Sequence, residues 1–127
     1  MPATEMTHAL DGKGLTNSLA QSIRLDRNLN RVHDLTDAEL EQLNVDVLTH
    51  LGRWINGKER DVRLCTTSVS GFCVAHSVPQ LESAYYLYLI REGVTDFLRQ
   101  HDFDVSGELE SRASKFFDKL VCEVLRA

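Results

Sequence analysis

The sequence predicts an all-α fold, a bundle of about five helices. Apolar residues recur at steps of three and four over most of the 127-residue chain, the spacing that lines one face of a helix. Only two prolines and seven glycines interrupt them, so long helices are permitted. One stripe of five such residues also follows a complete helix-start signal at Thr36–Glu39.

Residues 1–13 read as a flexible lead-in, and 14–127 as one domain. Leu15, Leu19 and Ile23 line one face, and Leu25, Leu29 and Val32 continue on a neighbouring one. They predict a first helix from Leu15 to His33 with a wide buried side and a bend near Arg24. In Thr36-Asp37-Ala38-Glu39, the Thr36 hydroxyl and the Glu39 carboxylate satisfy each other's backbone N–H groups. Behind it Leu40, Leu43, Val47, Leu51 and Trp54 form one stripe, and Asn56-Gly57 supplies a left-handed stop. A helix over 36–55 follows.

Thr66, Thr67, Ser68, Ser70 and Gly71 are poor helix formers. Yet Val62, Cys65, Val69, Phe72, Cys73 and His76 share a helical face, which predicts a helix softened at Gly71. Pro79 suits the first turn of a fourth helix, with Ser77 or Val78 as its cap. That helix is apolar all round from Tyr85 to Ile90, which predicts a central, fully surrounded element. A buried strand at 84–90 is the rival, opposed by the helical continuation through Val94, Phe97 and Leu98. After a loop at His101–Val105, Leu109, Ala113, Phe116, Leu120 and Val124 make a last stripe. Phe117, Val121 and Leu125 widen it beyond what one intramolecular contact needs, which points to a homodimer interface.

Composition narrows the function. A net charge of −5 argues against nucleic acid, whose partners carry a basic face. No apolar run reaches transmembrane length, and Met1–Lys13 lacks the apolar core of a signal peptide. Three cysteines with no C-x-x-C pair fit reduced thiols, so the expected location is cytoplasmic.

Catalysis finds no foothold in the motifs. There is no glycine-rich phosphate loop, no H-E-x-x-H and no paired-carboxylate motif. His76 and Cys73 at i, i−3 are candidate ligand-binding residues, and Tyr85 and Tyr88 could line a cavity. The plainer reading of His76 is a hydrogen-bonded core histidine beside cysteines that act as small hydrophobes. Cys65, Cys73 and His76 lack a fourth ligand for structural zinc. His50, followed by Leu-Gly-Arg, departs from the His-Lys-Gly pattern of phosphotransfer proteins and reads as a boundary residue. Arg91 borders the apolar stripe, where pairing with a carboxylate across a helix interface is expected.

The order of features resembles a known family. Leu35-Thr36-Asp37-Ala38-Glu39-Leu40 opens a helix that closes on Leu51-Gly52-Arg53-Trp54-Ile55-Asn56-Gly57. Ser77-Val78-Pro79-Gln80-Leu81, then Tyr88-Leu89-Ile90-Arg91 with Val94, Phe97 and Leu98, and finally Phe116-Phe117-Asp118-Lys119-Leu120-Val121 follow. Over residues 36–126 the chain is similar to the N-terminal sensory domains of RsbR-type stressosome proteins. The resemblance implies a globin-like dimer, often without haem, that acts as the input domain of a bacterial stress-response regulator. It further implies a C-terminal helix leading to a downstream signalling protein or STAS-type output domain. The expected dimer interface is Phe117, Val121 and Leu125, with Tyr86 from the tyrosine-rich helix. The expected cofactor is none. The alternative is a haem-binding gas sensor, with His76 as the first candidate for the iron ligand and His50 as the second candidate.

Overall fold

The computed structural model describes residues 13–58, 60–100 and 107–126. They form α1 (Lys13–Leu25), a 3-10 turn (Arg31–Asp34), α2 (Asp37–Ile55), α3 (Asp61–Ala75), α4 (Gln80–Gln100) and α5 (Glu108–Arg126). No strand occurs among the described residues. The fold is an all-α bundle of five helices. Of the expected lead-in (1–13), residues 1–12 lie outside the described residues, as does the loop at His101–Val105, while Lys13 already belongs to α1.

Successive polar contacts set the packing directions. Along α2 and α3, Glu39 meets His76, Asp46 meets Ser68 and His50 meets Asp61, so the two helices run antiparallel. Along α4 and α5, Gln80 reaches the Val124 carbonyl, Arg91 meets Asp118 and Arg99 meets Glu110, a second antiparallel pair. Arg91 therefore pairs across a helix interface, as its place beside the apolar stripe predicts. Helix α1 covers α2 and α4, and α5 also packs on α2 and α3. The centre is filled by Leu51, Tyr86, Leu87, Ile90, Phe116 and Phe117, each at most 1% exposed.

The first helix is shorter than the apolar pattern predicts. It ends at Leu25, which is 81% exposed, and the chain re-enters the core through the 3-10 turn. Side chains enforce the break. Arg24 donates to the carbonyls of His33 (3.0 Å) and Leu35 (2.6 Å), and Asp26 accepts from the Asn28 N–H at 2.8 Å. Glu82 of α4 then accepts the N–H groups of Arg31 (3.1 Å) and Val32 (2.7 Å), capping the turn from another helix. Leu29 and Val32 are buried as expected, but on a separate segment.

Helix α2 has the predicted start and stop. The capping box is complete: Thr36 Oγ1 accepts from the Glu39 N–H, and Glu39 Oε1 accepts from the Thr36 N–H. At the far end the N–H groups of Gly57 and Lys58 donate to the carbonyls of Trp54 and Arg53, with Gly57 at φ +91°. The same double closure ends α3, but there Ser77 occupies the left-handed position, at φ 59°. Its N–H donates to Val74 O, and the Val78 N–H donates to Cys73 O. Gly71 does not soften α3, which runs unbroken through it. Pro79 stands just before α4 rather than within its first turn, its carbonyl accepting from the Ser83 N–H.

Helix α4 is not surrounded on every side. Tyr86, Leu87, Ile90, Val94 and Leu98 are buried, but Leu81 and Tyr88 are 77% and 49% exposed. Among the described residues α1, the 3-10 turn, α3 and α5 pack against α4, and Leu81 and Tyr88 lie on the flank these leave exposed. The apolar residues on that open flank therefore face outward. Gly93 leaves room for α1, for a Cβ there would fall 2.2 Å from Leu19 Cδ2.

Candidate functional site

His76 is not a core histidine. It caps the C-terminus of α3, partly buried, and its ring stacks on Phe72 with centroids 4.1 Å apart. Its Nδ1 lies 3.0 Å from the Phe72 carbonyl and its Nε2 lies 2.7 Å from Glu39 Oε2. Both neighbours are acceptors, so the doubly protonated ring satisfies both while neutral imidazole donates to only one. The Phe72 carbonyl and the Glu39 carboxylate accordingly hold the His76 pKa above its ordinary value. Glu39 is held below its own, first by the Thr36 N–H and then by His76.

His50 is engaged in the same way between α2 and α3. Its Nδ1 is 2.7 Å from Asp61 Oδ1, and its Nε2 is 3.6 Å from Asp46 Oδ1. Asp61 is 4% exposed and also lies 3.8 Å from Arg53. Ser68 Oγ donates to the other oxygen of Asp46 at 2.5 Å. The hydroxyl thus faces a carboxylate rather than the imidazole that would activate it as a nucleophile. The set ties two helices together.

These contacts bear on the haem alternative. An iron ligand needs one unshared imidazole nitrogen facing a cavity. Both nitrogens of His76 and of His50 face acceptors, and the space between the helices is packed with Tyr86, Leu87, Phe116 and Phe117. These residues do not fit haem.

Cys73 is 5% exposed, and burial pushes its thiol pKa up, with a Ser83 hydrogen bond opposing and Glu82 adding. Burial likewise raises Cys65, with Asp46 and Asp61 adding. Thiols held protonated are poor nucleophiles and poor metal ligands. Tyr85 and Tyr88 stack at 6.1 Å on the outer flank of α4, where Tyr85 Oη donates to Asp26 and accepts from Asn28. His76, Cys73 and the tyrosine pair are thus held by different partners, and the structure does not bring them into one site.

The expected interface residues divide. Phe117 is 1% exposed and Tyr86 0%, so neither offers surface to a second protomer. Phe117 sits edge-on to Phe116 in the core, and Tyr86 donates a hydrogen bond to Asn44 Oδ1. A sequence stripe does not tell how many neighbours a helix has, and here the bundle itself covers both positions. Val121 is partly buried against the core, and Leu125 is 43% exposed. Asp118 and Glu110, on the same side of α5, reach α4, so Val121 and Leu125 turn toward that helix. Leu81 and Tyr88 share one face of α4 by helical register, and with Leu125 they are exposed apolar positions of the α4–α5 hairpin.

A cleft between the end of α2, the start of α3 and the second half of α5 escaped the sequence reading. Trp54, Arg60, Val62, Arg63, Leu64, Lys119 and Glu123 line about 440 Å³. The spacing of Arg60, Arg63 and Leu64 on one helical turn is its only local signal, since Lys119 joins them through the fold.

No family model, curated protein or solved structure matches this chain. Among the described residues no helix is long and apolar enough to cross a membrane.

Proposed function

We propose that this chain is a non-catalytic regulatory input domain, dimeric through its α4–α5 hairpin and signalling through α5 to a downstream protein or STAS-type output domain. The stressosome-type role rests on the resemblance to RsbR-type sensory domains. The observation that carries the proposal is the exposure of Leu81, Tyr88 and Leu125 on that hairpin, at 77%, 49% and 43%. A two-fold axis along this flank buries six such side chains and sets the two α5 helices side by side. A shift of one helix against its mate is then passed directly to whatever follows Arg126. The occupied histidine nitrogens and the elevated thiol pKa values support the non-catalytic part of the reading.

Cys122 offers a direct test, because it is exposed on α5 while Cys65 and Cys73 are buried. A nitroxide on Cys122 should give one narrow interprotomer distance by pulsed electron resonance. A decay without any interprotomer distance at tens of micromolar would contradict the arrangement.

A further inference from the structure

We infer that the cleft beside Trp54 binds a small organic anion with an apolar body. Six arginines, Arg24, Arg31, Arg53, Arg91, Arg99 and Arg112, each lie within 3.8 Å of a carboxylate. Arg60, Arg63 and Lys119 are among the described cations with no such partner, as are Arg27, Lys58, Lys115 and Arg126, but these three converge on this one cleft. Lys119 Nζ instead sits 5.0 Å above the Trp54 ring. Among the described residues that line the cleft, three cations face a single carboxylate, Glu123, in a chain whose net charge is −5. That local reversal of sign selects an anion against the field of the rest of the molecule.

The walls specify the other half of the ligand. Val62 closes the cleft from the core side, Trp54 is partly buried, and Leu64 stands 53% exposed at the rim. A bare inorganic anion would touch only the cations and leave this surface wet. A carboxylate or phosphate ester carrying an aromatic or aliphatic body would cover it. The volume of about 440 Å³ lies within the usual range for small-molecule sites. Glu123 adds an acceptor for a hydroxyl or amide of the ligand. The anion also competes with the indole face for Lys119, so binding alters the surroundings of Trp54.

Trp54 is the only tryptophan in the chain, so its emission reports on this cleft alone. Phenylpropionate is the probe, with phenylpropanol supplying the body without charge and acetate the charge without body. We expect a saturable change in Trp54 emission with phenylpropionate at millimolar concentration, and much weaker responses to the other two. Arg60→Gln/Arg63→Gln should weaken binding about tenfold or more, with circular dichroism unchanged. Leu64→Asp keeps all three cations and should also weaken it. No saturable response, an equal response to phenylpropanol, or unaltered binding in both variants would overturn the inference. The readout is independent of oligomeric state, so it stands or falls apart from the dimer.

Discussion

Glu39 joins two helix ends: one carboxylate oxygen closes the capping box of α2, and the other meets Nε2 of His76 at the end of α3. The pair therefore makes stability depend on pH in a defined window. The His76 pKa is raised, so its contribution is complete below the ordinary value of 6.5 and is lost as pH rises through the folded-state value. The Glu39 pKa is lowered, so its contribution is complete above the ordinary 4.5 and is lost as pH falls through the folded-state value. Both are present between 4.5 and 6.5. Thermal melts of His76→Ala should show a larger Tm deficit at about pH 6 than at about pH 9. Glu39→Gln keeps the capping acceptor and should show the same pattern. A deficit independent of pH would refute the pairing.

The close approach at Gly93 predicts a reversal of sign. Gly93→Ala gains about 1 kcal/mol of helix propensity, but its methyl would strike Leu19, which is 2% exposed and has little room to move. Overpacking of this kind costs about 1–3 kcal/mol, so the single change should destabilise. In a Leu19→Ala background the same change should stabilise. Urea denaturation of the four proteins in the cycle measures the coupling, and additive effects would show that the helices do not touch there.

Ser77 holds a left-handed conformation that glycine adopts without penalty. Ser77→Gly should raise stability by about 0.5–1 kcal/mol. At the matching position after α2, Gly57→Ala should lower it by about 1 kcal/mol. Chemical denaturation settles both, and a loss in Ser77→Gly would mean that the α3 closure is not as described.

Tyr86 and Asn44 are both fully buried, and their hydrogen bond occupies Asn44 Oδ1 while Nδ2 has no partner among the described residues. Tyr86→Phe strands the carboxamide and should cost about 1–3 kcal/mol. Adding Asn44→Leu removes the stranded group and should recover most of that loss. If the double variant is no more stable than Tyr86→Phe, the bond contributes little.

What the sequence made legible was local. The Thr36–Glu39 box, the Gly57 stop and the stripe from Leu40 to Leu51 each depend on residues within a turn or two, and each forms as read. The break after Leu25 was hidden because its causes come from afar: Arg24 reaches eleven residues on to Leu35, and Glu82 caps the 3-10 turn from another helix. His76 misled for a related reason. It shares a helical face with buried Cys73, but the helix ends at Ala75, so the ring swings to the rim and meets Glu39. The Trp54 cleft was illegible because its cations come from α3 and α5.

The proposed dimer interface is the exposed flank of the α4–α5 hairpin. Fully burying one apolar side chain stabilises by about 1.5–3 kcal/mol, and this flank is already partly covered within each protomer. Its association should therefore be micromolar rather than nanomolar, against an entropic cost of at least several kcal/mol. Sedimentation equilibrium of the wild type beside Leu81→Glu/Tyr88→Glu/Leu125→Glu tests this most directly. The three positions are exposed, so the variant should remain helical. The proposed interface requires a dimer for the wild type at tens of micromolar and a folded monomer for the variant. A monomeric wild type, or a variant that stays dimeric, would contradict it.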